Sequence, residues 1–183
     1  AGHDANLIVT NGDLHVTDHV KAGNNFNAEI WGEGDIMLDD NITVRKDMSM
    51  KTENGDITIG KTITADRGSV AMTTGKGDIS VGEDVVAGAD VTMTVGTVDI
   101  EVGRLGRGNV TAGNNVTMSV EEGSVSIVET VTAGEDGKVD ILTKKGNIKI
   151  GNNGPYTPTV TAGQDVTLET GNGEIRVQGK TEI

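Results

Sequence analysis

The 183-residue chain has no cysteine, so no disulfide stabilises it and no thiolate metal site exists. One Phe, one Tyr and one Trp supply all of its aromatic character, and only 34% of the residues are apolar. A conventional globular core of this size holds more large side chains than that. No apolar run approaches the roughly 20 residues of a membrane span, so no membrane insertion is expected. Lys and Arg number 15 against 28 Asp and Glu, a net charge of −13 that argues against nucleic acid and favours solubility and attraction of cations. Enzyme signatures are missing too. There is no nucleophile with a His–Asp partner set, no phosphate loop followed by a helix and no metal-ligand cluster, so no enzyme is expected. The chain begins at Ala1 rather than Met, which reads as a processed mature protein or an excised segment.

What the sequence does have is a repeat of about 22 residues running from one end to the other. The slot that reads Gly-Asp-Ile begins at Gly12, Gly34, Gly55, Gly77, Val98, Gly123, Gly146 and Gly173. Each repeat holds three short segments that alternate apolar with polar or small residues, the period of half-buried strands. The first segment carries inward pairs such as Ile36/Leu38 and Ile79/Val81. The second carries pairs such as Val85/Ala87 and Val110/Ala112, and the third Met48/Met50 and Val116/Met118. Glycine recurs at the junctions, where positive φ or close backbone approach suits it best. Three such strands cannot bury their inner faces alone, but stacked copies can, each coil pairing with its neighbours at about 4.8 Å. The expected fold is therefore all-β, a parallel β-solenoid (β-helix) with three short strands per coil and about seven to eight coils over residues 1–183. That makes one domain, roughly 35–40 Å long at this rise per coil.

The units "GDISVGEDVVAGADVTMTVGT", "VTAGNNVTMSVEEGSVSI" and "VTAGQDVTLETGNGEIRV" resemble the repeats of filamentous-haemagglutinin-type exoproteins. The resemblance covers nearly the whole chain. It implies a right-handed parallel β-helix and a secreted or cell-surface setting, with adhesion to host or neighbouring-cell surfaces as the family's role. The family's N-terminal secretion domain is not recognisable in these 183 residues.

The phase of the repeat at the two ends adds a second expectation. Ala5 and Leu7 fill the third-segment slot before the first Gly-Asp, and Thr181 and Ile183 fill the second-segment slot after the last. A second copy placed on the end continues the order of segments without a break. No capping helix, charged terminal coil or Pro-rich plug is present, so the solenoid reads as uncapped at both ends. A head-to-tail contact does not close on itself and propagates as a filament. The expected function is a secreted structural protein, a homopolymeric extracellular filament subunit. Its assembly ends are Ala5, Leu7, Leu14 and Val16 on one side and Ile175, Val177, Thr181 and Ile183 on the other. The alternative is a stalk fragment of a large adhesin. A third reading, ice or surface binding, rests on the outward column Thr43, Thr64, Val86, Thr111, Thr132 and Thr161.

Other candidate sites follow from columns and loops. Asp13, Asp35, Asp56, Asp78 and Asp99 share one column, and stacked carboxylates repel. Cations such as Ca²⁺ bridging them is one resolution; side chains splayed into solvent or bonded to a turn N–H is the other. Ala1-Gly2-His3 has the form of an amino-terminal Cu(II)/Ni(II) site if Ala1 carries a free amine, a form any third-position His provides. Asn41, Asn109 and Asn115 stand in N-glycosylation tripeptides. The connection from first to second segment lengthens at 103–109 and 151–159, displaying Arg104, Arg107 and Tyr156 for binding or as tolerated insertions. Trp31 is placed in a turn between third and first segments.

Overall fold

The computed structural model describes residues 2–151, 157–178 and 180–182, the last three in backbone only. The described residues form 24 strands and no helix. First-segment strands are β2 (Leu14–Val16), β5 (Ile36–Leu38), β8 (Ile57–Ile59), β11 (Ile79–Val81), β14 (Ile100–Val102), β17 (Val125–Ile127), β20 (Ile148–Ile150) and β23 (Ile175–Val177). Second-segment strands are β3 (Val20–Ala22), β6 (Ile42–Val44), β9 (Ile63–Ala65), β12 (Val85–Ala87), β15 (Val110–Ala112), β18 (Val131–Thr132), β21 (Thr159–Thr161) and β24 (Lys180–Glu182). Third-segment strands are longer: β1 (Ala5–Val9), β4 (Phe26–Glu33), β7 (Met48–Asn54), β10 (Val70–Lys76), β13 (Val91–Thr97), β16 (Val116–Glu122), β19 (Val139–Lys145) and β22 (Val166–Thr170).

Each set forms one eight-stranded parallel sheet, so three sheets wrap a common interior. Between β1 and β24 lie seven complete coils, and the chain opens on a third-segment strand and closes on a second-segment one. Apart from one shift in β4, register is kept residue for residue: Ile79 lies beside Ile57 and Ile100, and Met72 beside Met50 and Met93. Inward residues therefore stack on inward residues along each sheet, and the interior is built mainly of Ile, Val, Met and Ala. Among the described residues, Phe26 is the one aromatic in that core.

The third sheet is longer because a further inward slot continues each strand. Ile30, Thr52, Thr74, Val95, Val120 and Thr143 fill it and are buried. The buried hydroxyls find partners at the corners: Thr52 Oγ1 donates to the Gly34 carbonyl at 3.0 Å and Thr74 Oγ1 to that of Gly55 at 2.8 Å. A paired buried hydroxyl avoids the cost of an orphaned one. Trp31 departs from its expected place. It belongs to β4, beside a register shift between Ile30 and Glu33, and is 58% exposed. The extra residue of that bulge turns it outward.

The corners are packed as tightly as the sheets. A Cβ built on Gly77 lies 2.1 Å from the Gly55 carbonyl oxygen, so a side chain at Gly77 must displace backbone. Val98 holds the same slot one coil later with φ of 97°, a region a β-branched residue rarely adopts.

Candidate functional site

Among the described residues, no strand pairs with the outer side of the first or last strand of any of the three sheets. β1, β2 and β3 pair only inward at the head, and β22, β23 and β24 only inward at the tail. Ala5, Leu7, Leu14 and Val16 lie together on the head edge, each half-buried against the core. Ile175 and Val177 lie on the tail edge, the first 41% exposed and the second half-buried. Thr181 occupies β24 on the same edge, in register with Val160. Ile183, Tyr156 and Ala1 lie outside the described residues.

The Asp column does specific work that the sequence reading left open. Asp13 Oδ1 accepts the amide N–H of Asp35 at 2.9 Å, and Asp35 Oδ1 that of Asp56 at 2.8 Å. The series continues through Asp56 to Asp78 (2.8 Å), Asp78 to Asp99 (2.7 Å) and Asp99 to Ser124 (2.6 Å). Ser124 Oγ then accepts from Asn147 at 3.1 Å and Asn147 Oδ1 from Glu174 at 2.8 Å. Each carboxylate thus faces a backbone dipole from the next coil, which offsets its repulsion by the carboxylate stacked beside it. Among the described residues no group of three or more His, Cys, Asp or Glu is placed to hold one metal ion. His3 is exposed.

Two further columns of the same kind stand at the other corners. Before the third-segment strands, Asp4 accepts from Asn25 (3.0 Å), Asn25 from Asp47 (3.2 Å), Asp47 from Ser69 (2.9 Å) and Ser69 from Asp90 (3.3 Å). Asp90 accepts from Asn115 and Asn115 from Lys138, each at 3.0 Å. Before the second-segment strands, Asn41 accepts from Thr62, Asp84 from Asn109 and Asn109 from Thr130. The signal was present in the sequence as a short polar residue immediately before most strands. It varies among Asp, Asn, Ser and Thr and gives way to His19, Lys138 and Glu174, so no single letter repeats.

The tripeptide asparagines belong to these columns. The Nδ2 groups of Asn41, Asn109 and Asn115 donate to Asp40, Asp84 and Asp90 at 2.8, 2.9 and 3.0 Å. Loop 103–109 leaves β14 and turns back over the preceding coil, where the Leu105 amide donates to the Gly82 carbonyl at 2.9 Å. Leu105 itself is 66% exposed. Arg104 overhangs a groove of about 470 Å³ along the first sheet, floored by Asp56, Thr58, Asp78, Ser80, Asp99 and Glu101. Arg107 faces a second groove, with Asp84, Asn109, Glu129, Thr157 and Pro158 around it. The outward Thr column of the second sheet is broken at Val86, as the sequence shows, and starts from Lys21 at the head.

Ion pairs tie neighbouring coils on the outer faces. Lys61 bonds Asp40 at 2.9 Å and Lys138 bonds Asp165 at 2.7 Å, while Lys144 and Lys145 pair with Glu121 and Glu122. The bond from Lys61 holds the Asp40 carboxyl below its ordinary value, helped by the Asn41 amide, and raises Lys61 in return. Lys138 and Lys145 are raised by their carboxylate partners, and Glu121 is lowered by Lys144. His15 Nε2 lies 2.9 Å from Asp39. Comparison with protein-family models, with curated proteins and with solved structures finds no match to the chain.

Proposed function

We propose that the chain is a non-catalytic structural subunit of an extracellular filament, formed by head-to-tail stacking of β-solenoids. The observation that carries this reading is the pair of open edges, matched in phase, with core slots half-exposed at each. In the stack β22, β23 and β24 of one copy pair with β1, β2 and β3 of the next. The joint then extends all three sheets and encloses Leu168, Ile175 and Val177 against Leu7, Leu14 and Val16. Burial of such side chains contributes about 1.5–3 kcal/mol each when complete, and exposed parallel edges supply unpaired backbone groups to satisfy. The contact is heterologous, so it repeats without closing. The extracellular setting rests on the resemblance to secreted adhesin repeats. Contact with a host or neighbouring-cell surface falls to the exposed loops.

The experiment is electron microscopy of the purified chain with no tag at either end. Long thin fibres with an axial repeat near 4.8 Å are expected. Ile175→Asp and Leu14→Asp should each abolish them while leaving the solenoid folded. Monodisperse short rods from the unaltered chain would overturn the reading and point to a passive adhesin stalk.

A further inference from the structure

The corner columns have a direction. In the first column each side-chain oxygen from Asp13 to Asn147 accepts from the tail side, and each amide from Asp35 to Glu174 donates towards the head. Seven consecutive bonds, from Asp13 to Glu174, obey this rule. The column preceding the third-segment strands runs the same way from Asp4 to Lys138. At the head, the amides of Asp13 and Asp4 have no acceptor among the described residues. At the tail, and again among the described residues, the Glu174 carboxylate has no donor, and Asp165 uses Oδ2 on Lys138 and leaves Oδ1 unengaged. One end is thus a pair of donors and the other a pair of acceptors, at matching places in the repeat.

Resting on the end-stacked filament proposed above, we propose that Glu174 and Asp165 of one copy accept the amides of Asp13 and Asp4 of the next, and that these bonds fix the joint's direction. The occupant of each end is a second copy of this chain in the same orientation. A head-to-head joint sets amide against amide. A tail-to-tail joint sets carboxylate against carboxylate and leaves both desolvated without a donor. Only the head-to-tail joint continues the columns. It also sets the register, with Val166 beside Ala5, Thr167 beside Asn6 and Leu168 beside Leu7, as in every coil pair along the third sheet.

The chain has no cysteine of its own, so direction is read by crosslinking. Asn6 and Thr167 are both exposed and face outward on the third sheet. In the proposed joint their Cα atoms stand about 4.8 Å apart, within disulfide reach. Oxidising a mixture of Asn6→Cys and Thr167→Cys chains should give covalent dimers, and neither variant alone should. Self-crosslinking of either single variant overturns the assigned direction. The role of the two carboxylates is read from the critical concentration for assembly. Asp165→Leu combined with Glu174→Met should raise it about tenfold or more, since two charge-assisted bonds per joint are lost. Asp165→Asn with Glu174→Gln, which keeps the acceptors, should stay within a few-fold of the unaltered chain. Equal melting temperatures of the two double variants separate an assembly effect from unfolding. An unchanged critical concentration in the Leu/Met chain overturns this inference and leaves the filament standing. Failure of the unaltered chain to assemble at all overturns both.

Discussion

Ile79 and Ile175 open the first-segment strands of their respective coils, yet Ile79 is 0% exposed and Ile175 is 41% exposed. The two residues have the same identity, slot and inward direction. What differs is the number of neighbouring coils: Ile79 has Ile57 on one side and Ile100 on the other, whereas Ile175 has only Ile148. Burial in this molecule is thus a property of stacking rather than of the coil itself. Among the described residues, the middle has a coil on each side, whereas each end strand has a coil on one side only.

The largest effect should come from charging the two sites in turn. Ile79→Asp places an unpaired carboxylate in a fully enclosed core and should cost about 4 kcal/mol or more, enough to unfold a marginal chain. Ile175→Asp leaves its carboxylate in reach of water, so the denaturation midpoint should move far less while assembly is lost. Equal destabilisation at the two sites would break the comparison, because it would mean that the tail is as enclosed as the middle.

The second test compares corners. Gly77 nests against Gly55, whereas Gly12, in the same slot, has nothing within 4 Å of a built Cβ. Gly77→Ala should cost about 2–3 kcal/mol through overpacking against backbone that cannot yield. Gly12→Ala meets only the strain of its φ of 100° and should cost about 1 kcal/mol. The ratio of the two, read from urea midpoints, measures how much of the corner constraint comes from the next coil.

The corners also show where sequence reading worked and where it stopped. Strand positions were legible because inward pairs such as Ile57/Ile59 and Val85/Ala87 alternate with polar residues at a constant return, and the structure places strands on those pairs. The long third strands were not, since Thr52, Thr74 and Thr143 look polar and outward until their hydroxyls are seen to reach corner carbonyls. The Asp column was legible as a column, and bonding to an N–H was one of the readings it allowed, but the place of that N–H one coil away was not. A carboxylate's partner one coil away is a backbone amide, which leaves no letter in the sequence. The other two columns were missed for the same reason, hidden by the mixture of Asn25, Asp47 and Ser69. Trp31 was misplaced because a one-residue bulge in β4 shifts the frame by an amount no local pattern announces.

A smaller effect, opposite in sign, is expected at Val98. It stands among the middle coils where the Gly-Asp slot otherwise holds glycine, at φ of 97°. Val98→Gly relieves that conformation, offset in part by the greater freedom of glycine in the unfolded chain, for a net gain of about 1 kcal/mol. A loss of stability in thermal melts would show that the Val98 side chain contributes packing that outweighs its backbone strain.

The smallest effect belongs to the ion pairs on the outer faces, which join coils irrespective of whether they are central or terminal. Asp40 and Lys61 show the expected sign. The Asp40 carboxyl is held below its ordinary value of 3.8, so its contribution is present above that pH and is lost as pH falls through the lowered value. Lys61 is raised above its ordinary value of 10.5, so its contribution is present below that pH and is lost as pH rises through the raised value. The melting temperatures of the unaltered chain and of Lys61→Met should therefore differ by a small, constant amount across neutral pH and converge at both extremes. Exposed pairs of this kind are well screened by solvent and salt. A large difference at neutral pH would mean that the coils depend on their surface charges as well as their core, and that the contrast between middle and ends is not set by burial alone.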